Sequence, residues 1–115
     1  MRTGDPYTRA MPTKGEATAQ QAHDAVSSGE AVLIDVREPW EWEQQRIGGA
    51  VLIPLGEVPE RLGEIPDDRD VYVYCRLGGR SGKAVEFLHE HGRPRAITLA
   101  GGIEGWEQAG LPVER

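Results

Sequence analysis

The chain reads as an α/β fold built on a mostly parallel sheet. Compact apolar runs of strand length alternate with segments of helical spacing, and these runs are apolar on both faces, as strands covered by helices on either side must be. In such sheets functional residues collect beyond the carboxyl ends of the strands. The only cysteine, Cys75, stands at one of those ends.

Residues 1–15 mix Gly, Pro, Thr and charge without periodicity, so a mobile tail is expected there and a single domain over 16–115. Thr18-Ala19-Gln20-Gln21 has capping-box form ahead of Ala22, Ala25 and Val26, which predicts a short helix ending near Gly29. Ala31–Asp35 follows as a strand. Pro39, whose fixed backbone angle suits a first helical turn, opens a short helix carrying Trp40, Glu41, Trp42 and Glu43. Gly48-Gly49 breaks the pattern, 50–53 reads as a second strand stopped by Pro54, and 57–62 as another short helix. The run 71–74 is the third strand. Ala84, Val85, Phe87 and Leu88 then recur at helical spacing, with Ser81 as the cap and Gly92 as the stop. Ala96–Leu99 is a fourth strand, and 102–109 a final helix closed by Gly110 and Pro112.

At 115 residues the chain suits one core. A formal net charge of −6 argues against a nucleic-acid partner or an anionic membrane, both of which need clustered Lys and Arg over a broad face. One cysteine forms no internal disulfide, and no apolar run approaches a signal or membrane span, so a reducing, cytoplasmic setting is expected. The histidines are His23, His89 and His91, the last two on different faces of one helix, which argues against structural zinc. No metal and no cofactor are expected.

Cys75 ends Val71-Tyr72-Val73-Tyr74 and opens Arg76-Leu77-Gly78-Gly79-Arg80-Ser81. A cysteine is often a small buried hydrophobe, but here glycines, two guanidinium groups and a helix start adjoin it. An unperturbed thiol titrates near about 8.5 and is mostly protonated at neutral pH. Loop amides freed by Gly78 and Gly79, the positive end of the helix and the charges of Arg76 and Arg80 are three ways to lower that value. Arg76, Arg80 and Lys83 form a basic island on an acidic protein, which points to a small anionic substrate. A nucleotide-binding P-loop fails by counting: Leu77 stands where its first glycine belongs, and Ala84 follows Lys83 where Ser or Thr belongs. Four residues separate Cys75 from Arg80. That is one fewer than in a phosphatase-type loop sized to cradle phosphate or arsenate.

From about Glu16 to its end the chain resembles a single-domain rhodanese, a thiosulfate sulfurtransferase. The resemblance rests on Leu33-Ile34-Asp35-Val36-Arg37-Glu38, Ile47-Gly48-Gly49-Ala50, the loop from Cys75 to Arg80, and Gly101-Gly102-Ile103-Glu104-Gly105-Trp106, in that order and spacing. It implies a three-layer α/β/α fold with a five-stranded parallel sheet of order 1-5-4-2-3, its extra edge strand falling around 14–17. It implies further that Cys75 attacks the sulfane sulfur of thiosulfate and keeps it as a persulfide, which cyanide or a thiol acceptor removes. Loop residues Leu77, Gly78, Gly79 and Ser81 would cradle the anion, and Arg76 and Arg80 would hold the sulfonate. A sulfur-carrier module relaying persulfide to or from a partner protein would use the same cysteine. Asp35 and Arg37 read as a structural ion pair, and Trp106 as packing for the last helix. Trp40 and Trp42 read as core or rim. Where the family commonly carries histidine this chain has Arg46, expected to face water or add charge near the site.

Overall fold

The computed structural model describes residues 16–115, so the tail expected over 1–15 lies outside the described residues. Five strands form one wholly parallel sheet of order β1-β5-β4-β2-β3: β1 Glu16–Ala17, β2 Ala31–Asp35, β3 Val51–Leu52, β4 Asp70–Tyr74 and β5 Ala96–Leu99. The edge strand expected around 14–17 is the two-residue β1, paired with Thr98 and Leu99.

Alternation along the central strands divides the core. Val71, Val73 and Cys75 face one side of the sheet with Ile34 and Val36, while Tyr72 and Tyr74 face the other with Ala31 and Leu33. The helix α3, Gly79–Glu90, covers the first side through Ala84, Val85 and Leu88. On the second side α1, Ala19–Ser27, and α4, Gly102–Gln108, bury Ala22, Ile103 and Trp106. This is the α/β/α sandwich expected. Thr18 caps α1 as its sequence implies: its hydroxyl accepts from the Gln21 amide at 3.1 Å, and the Gln21 side chain accepts from the Thr18 amide at 2.9 Å.

Two local expectations are corrected. Residues 57–62 do not form an α-helix; 3-10 turns at Leu55–Glu57 and Leu62–Glu64 take its two ends. Pro59 has no amide to donate to the Leu55 carbonyl, which takes the Val58 amide at 3.2 Å instead. Nor does Ser81 cap α3. The helix starts three residues earlier than a Ser81 cap would place it, with Gly78 in the capping position at φ +139°, a conformation other residues rarely adopt. Among the described residues no helix is long and apolar enough to cross a membrane.

The carboxyl ends of β2 and β4 lie in register, Asp35 opposite Tyr74. Asp35 is fully buried and takes Nε of Arg37 at 3.0 and 3.1 Å, its Nη2 at 2.8 Å and the Arg37 amide at 2.8 Å. Arg37 also donates to the Gln45 carbonyl at 2.7 Å and lies over the Tyr74 ring. The pair thus ties β2, β4 and the segment after α2 (Pro39–Gln44) together behind the cysteine. Asp35→Ala, leaving a buried guanidinium unpaired, is expected to cost about 3–5 kcal/mol in urea unfolding. Replacing both residues by apolar side chains of similar volume is expected to cost much less, and equal losses in the two variants would refute this account.

Candidate active site

Cys75 follows β4 directly, and its 2% exposure places the sulfur under the loop that leads into α3. The Gly78 amide points at Sγ from 3.0 Å, and Ser81 Oγ lies 3.7 Å away. The Ser81 hydroxyl currently donates to the Gly78 carbonyl at 3.1 Å while accepting from the thiol. A hydroxyl rotates, so the same oxygen donates to sulfur once the sulfur is ionised.

These contacts have a net electrostatic effect. Burial pushes the Cys75 thiol up, but hydrogen bonds from the Ser81 amide and hydroxyl and from the Gly78 and Leu77 amides outweigh it and hold the thiol below its usual range. Loop amides and the first turn of α3 carry the shift. Of the arginines, Arg80 couples to the Cys75 charge, which raises its own guanidinium, so it assists the loop donors rather than leading them.

The amides converge because the carbonyls are held elsewhere. Ile103 donates its amide to the Cys75 carbonyl at 3.0 Å and Glu104 to the Arg76 carbonyl at 3.2 Å, so the first turn of α4 turns both acceptors away from the sulfur. This approach needs glycine: a Cβ on Gly102 would lie 2.4 Å from the Arg76 oxygen and 2.5 Å from the Cys75 oxygen, at a φ of +60°. Gly79, by contrast, has open space around it and no positive φ. Only Gly78 of the loop pair is demanded by its conformation.

A polar cleft of about 830 Å³ opens beside the loop, lined by Arg37, Arg76, Arg80, Glu41, Glu104 and Trp40 among others. Arg80 makes a two-pronged pair with Glu41, Nη1 to Oε1 at 2.7 Å and Nη2 to Oε2 at 3.0 Å. Arg76 pairs with Glu104 through Nε. The sequence reading took both guanidinium groups as open to a ligand and missed both carboxylates. Glu41 was legible only as a first-turn residue of α2, and nothing local to it signals a partner on α3. Trp40 is 62% exposed on the cleft wall and Leu77 59% exposed on the loop, whereas Trp106 is core, its Nε1 donating to the Pro112 carbonyl at 2.7 Å. Arg46 neither joins the cleft nor simply faces water. It donates to the Trp42 carbonyl at 3.0 Å, lies over the Trp42 ring and pairs with Glu114, fastening the C-terminal segment. Lys83 is exposed on α3 and is not among the residues lining the cleft. Among the described residues no cluster of His, Cys, Asp or Glu could hold a metal ion.

Residues 18–109 match the family model of the rhodanese-like domain. The chain belongs to the rhodanese-like family. A sulfurtransferase of Allochromatium vinosum is 43% identical to it, over 73% of this chain and 78% of that one. A thiosulfate sulfurtransferase, GlpE of Actinobacillus succinogenes, is 35% identical over 86% of this chain and 89% of that one. Among solved structures, a rhodanese-related protein from Thermoplasma volcanium superposes with a TM-score of 0.79 at 31% identity, covering 87% of this chain and 97% of that one. Family and relatives together support sulfur transfer.

Two outcomes test this rhodanese-like site. Alkylation of Cys75 by iodoacetamide follows the thiolate fraction, so its pH midpoint is expected below that of a free thiol and moves upward in Ser81→Ala; a midpoint at the free-thiol value refutes the amide account. Gly102→Ala is expected to lower stability by about 2–4 kcal/mol in thermal melts and to slow that alkylation, because the Cβ displaces the Cys75 and Arg76 carbonyls.

Proposed function

We propose that this rhodanese-like chain is a thiosulfate sulfurtransferase that carries sulfur as a persulfide on Cys75. The observation that carries the reading is the Gly78 amide 3.0 Å from Sγ, at a strand end where loop amides and the Ser81 hydroxyl outweigh the penalty of burying a charged sulfur. A sulfur so placed is nucleophilic, and the donors that favour its anion also favour the anion of a persulfide one atom further out.

The reaction has two displacements. Cys75 thiolate attacks the outer sulfur of thiosulfate, the S–S bond of the donor breaks, and its electron pair leaves with sulfite. An acceptor nucleophile then attacks the outer sulfur of the persulfide and Cys75 departs as thiolate. Cyanide gives thiocyanate by this step, and a thiol gives a new persulfide. In a reducing cytoplasm the acceptor is a thiol, free or on a partner protein. Loop size supports sulfur over phosphoryl chemistry, since the ring from Cys75 to Arg80 encloses a single anionic atom more readily than a tetrahedral oxyanion.

Thiosulfate is expected to add one sulfur to Cys75 by intact-protein mass spectrometry, and cyanide to remove it as thiocyanate. Cys75→Ser is expected to gain no sulfur and to turn over at background. An unmodified wild type, or full turnover by the serine variant, would falsify the assignment.

A further inference from the structure

Both guanidinium groups beside Cys75 already have a carboxylate partner, and they are not held alike. Arg76 and Glu104 form an exposed pair, their side chains 62% and 35% accessible. Arg80 is gripped through both terminal nitrogens by Glu41, whose side chain is only 9% accessible and which also accepts the Glu38 amide at 2.9 Å. Withdrawing Arg80 would leave Glu41 a nearly buried, unpaired anion, a costly state. A small dianion entering the cleft therefore meets a guanidinium whose charge is already paired rather than a free cation.

We infer that Glu41 is a positioning residue that sets the donor preference of the site: by holding Arg80 it leaves thiosulfate, a small sulfonate dianion, an accepted but weaker donor and favours the persulfides of thiols. The inference rests on the sulfur-transfer reading above. A persulfide R–S–SH brings no dianionic head to be paired. Cys75 thiolate attacks its terminal sulfur, the donor S–S bond breaks, the electron pair leaves on RS⁻, which takes a proton from solvent, and Cys75 keeps the sulfur as S–SH. The cleft has room for the R group, about 830 Å³ with the Trp40 ring exposed on its wall. The loop amides serve both donors equally, because they face the sulfur and not the leaving group.

The test is the rate of Cys75 persulfidation with two donors, thiosulfate and cysteine hydropersulfide, in wild type and in Glu41→Gln. The glutamine still reaches both Arg80 and the Glu38 amide but returns a net positive charge to Arg80. The thiosulfate KM is expected to fall about tenfold with kcat little changed, and to rise more steeply with added NaCl than in wild type. For cysteine hydropersulfide KM stays within about twofold. Glu104→Gln, at the exposed pair, is expected to lower the thiosulfate KM by about twofold to threefold. The doubly neutral variant Glu41→Gln with Arg80→Gln keeps a hydrogen bond with no buried charge. Its thiosulfate KM is expected within about twofold of wild type; a rise of about tenfold would mean that Arg80 binds the sulfonate directly and overturns the inference. An unchanged thiosulfate KM in folded Glu41→Gln overturns it too, as does an equal shift for both donors. Absence of any Cys75 persulfide in wild type with either donor defeats sulfur transfer itself, and is thereby distinguishable.

Discussion

Everything at this site depends on which way the peptides after β4 face. A strand end leaves amides and carbonyls equally free, and a carbonyl aimed at Cys75 would oppose the anion as strongly as an amide supports it. The choice is made from outside the loop, by the Ile103 and Glu104 amides taking the Cys75 and Arg76 carbonyls. Once those acceptors are drawn off, the Leu77, Gly78 and Ser81 amides are left to the sulfur. The close approach that allows this has room for no Cβ at Gly102. A residue on α4 that never reaches the sulfur thus governs its chemistry.

The energetics follow the same line. Burying an ionised sulfur is opposed by desolvation, the first influence on Cys75, and each unit by which the thiol is raised or lowered corresponds to about 1.4 kcal/mol. A hydrogen bond to a charged group returns about 1.5–3 kcal/mol, so a few converging donors suffice to reverse the sign of a moderate burial penalty. The Arg80 charge couples to the sulfur as well, behind the loop donors, and the structure pairs both Arg80 and Arg76 with carboxylates. Behind them the Asp35–Arg37 pair fixes the β2 end against the β4 end, so the loop is mounted on a rigid shelf.

Much of this was legible in the chain. The strand runs and the glycine punctuation carry the sheet, and Cys75 through Arg80 marks the loop because those residues are contiguous. Ser81 misled as a cap: serine is the commoner capping residue, yet the backbone there requires the positive φ that Gly78 supplies, and Ser81 instead lies in the first turn with its hydroxyl on the sulfur. The helix expected over 57–62 failed because Pro59 has no amide to donate to the Leu55 carbonyl, so the turn that begins at Leu55 closes as 3-10 through the Val58 amide instead of continuing as an α-helix. Glu41 and Glu104 were beyond reach for a different reason. Each meets an arginine far away in sequence, and a surface glutamate looks the same in sequence whether it faces water or a guanidinium.

The pairing of those arginines bears on how an acidic rhodanese-like chain handles anions. With a formal net charge of −6, the long-range field repels a dianion before any contact is made. A cleft with free Arg76 and Arg80 would offset this locally, but the carboxylates bring those two pairs close to neutral, so nothing at short range compensates the repulsion. Attraction then begins only at the loop, where amides act over a few ångströms and take hold of a sulfur rather than of the group attached to it. Selectivity in such a site comes from what the leaving group brings with it, and a leaving group without a large negative charge gives up least on the way in. Removing one carboxylate changes the short-range balance while leaving the loop, and with it the reactivity of the sulfur, as it was.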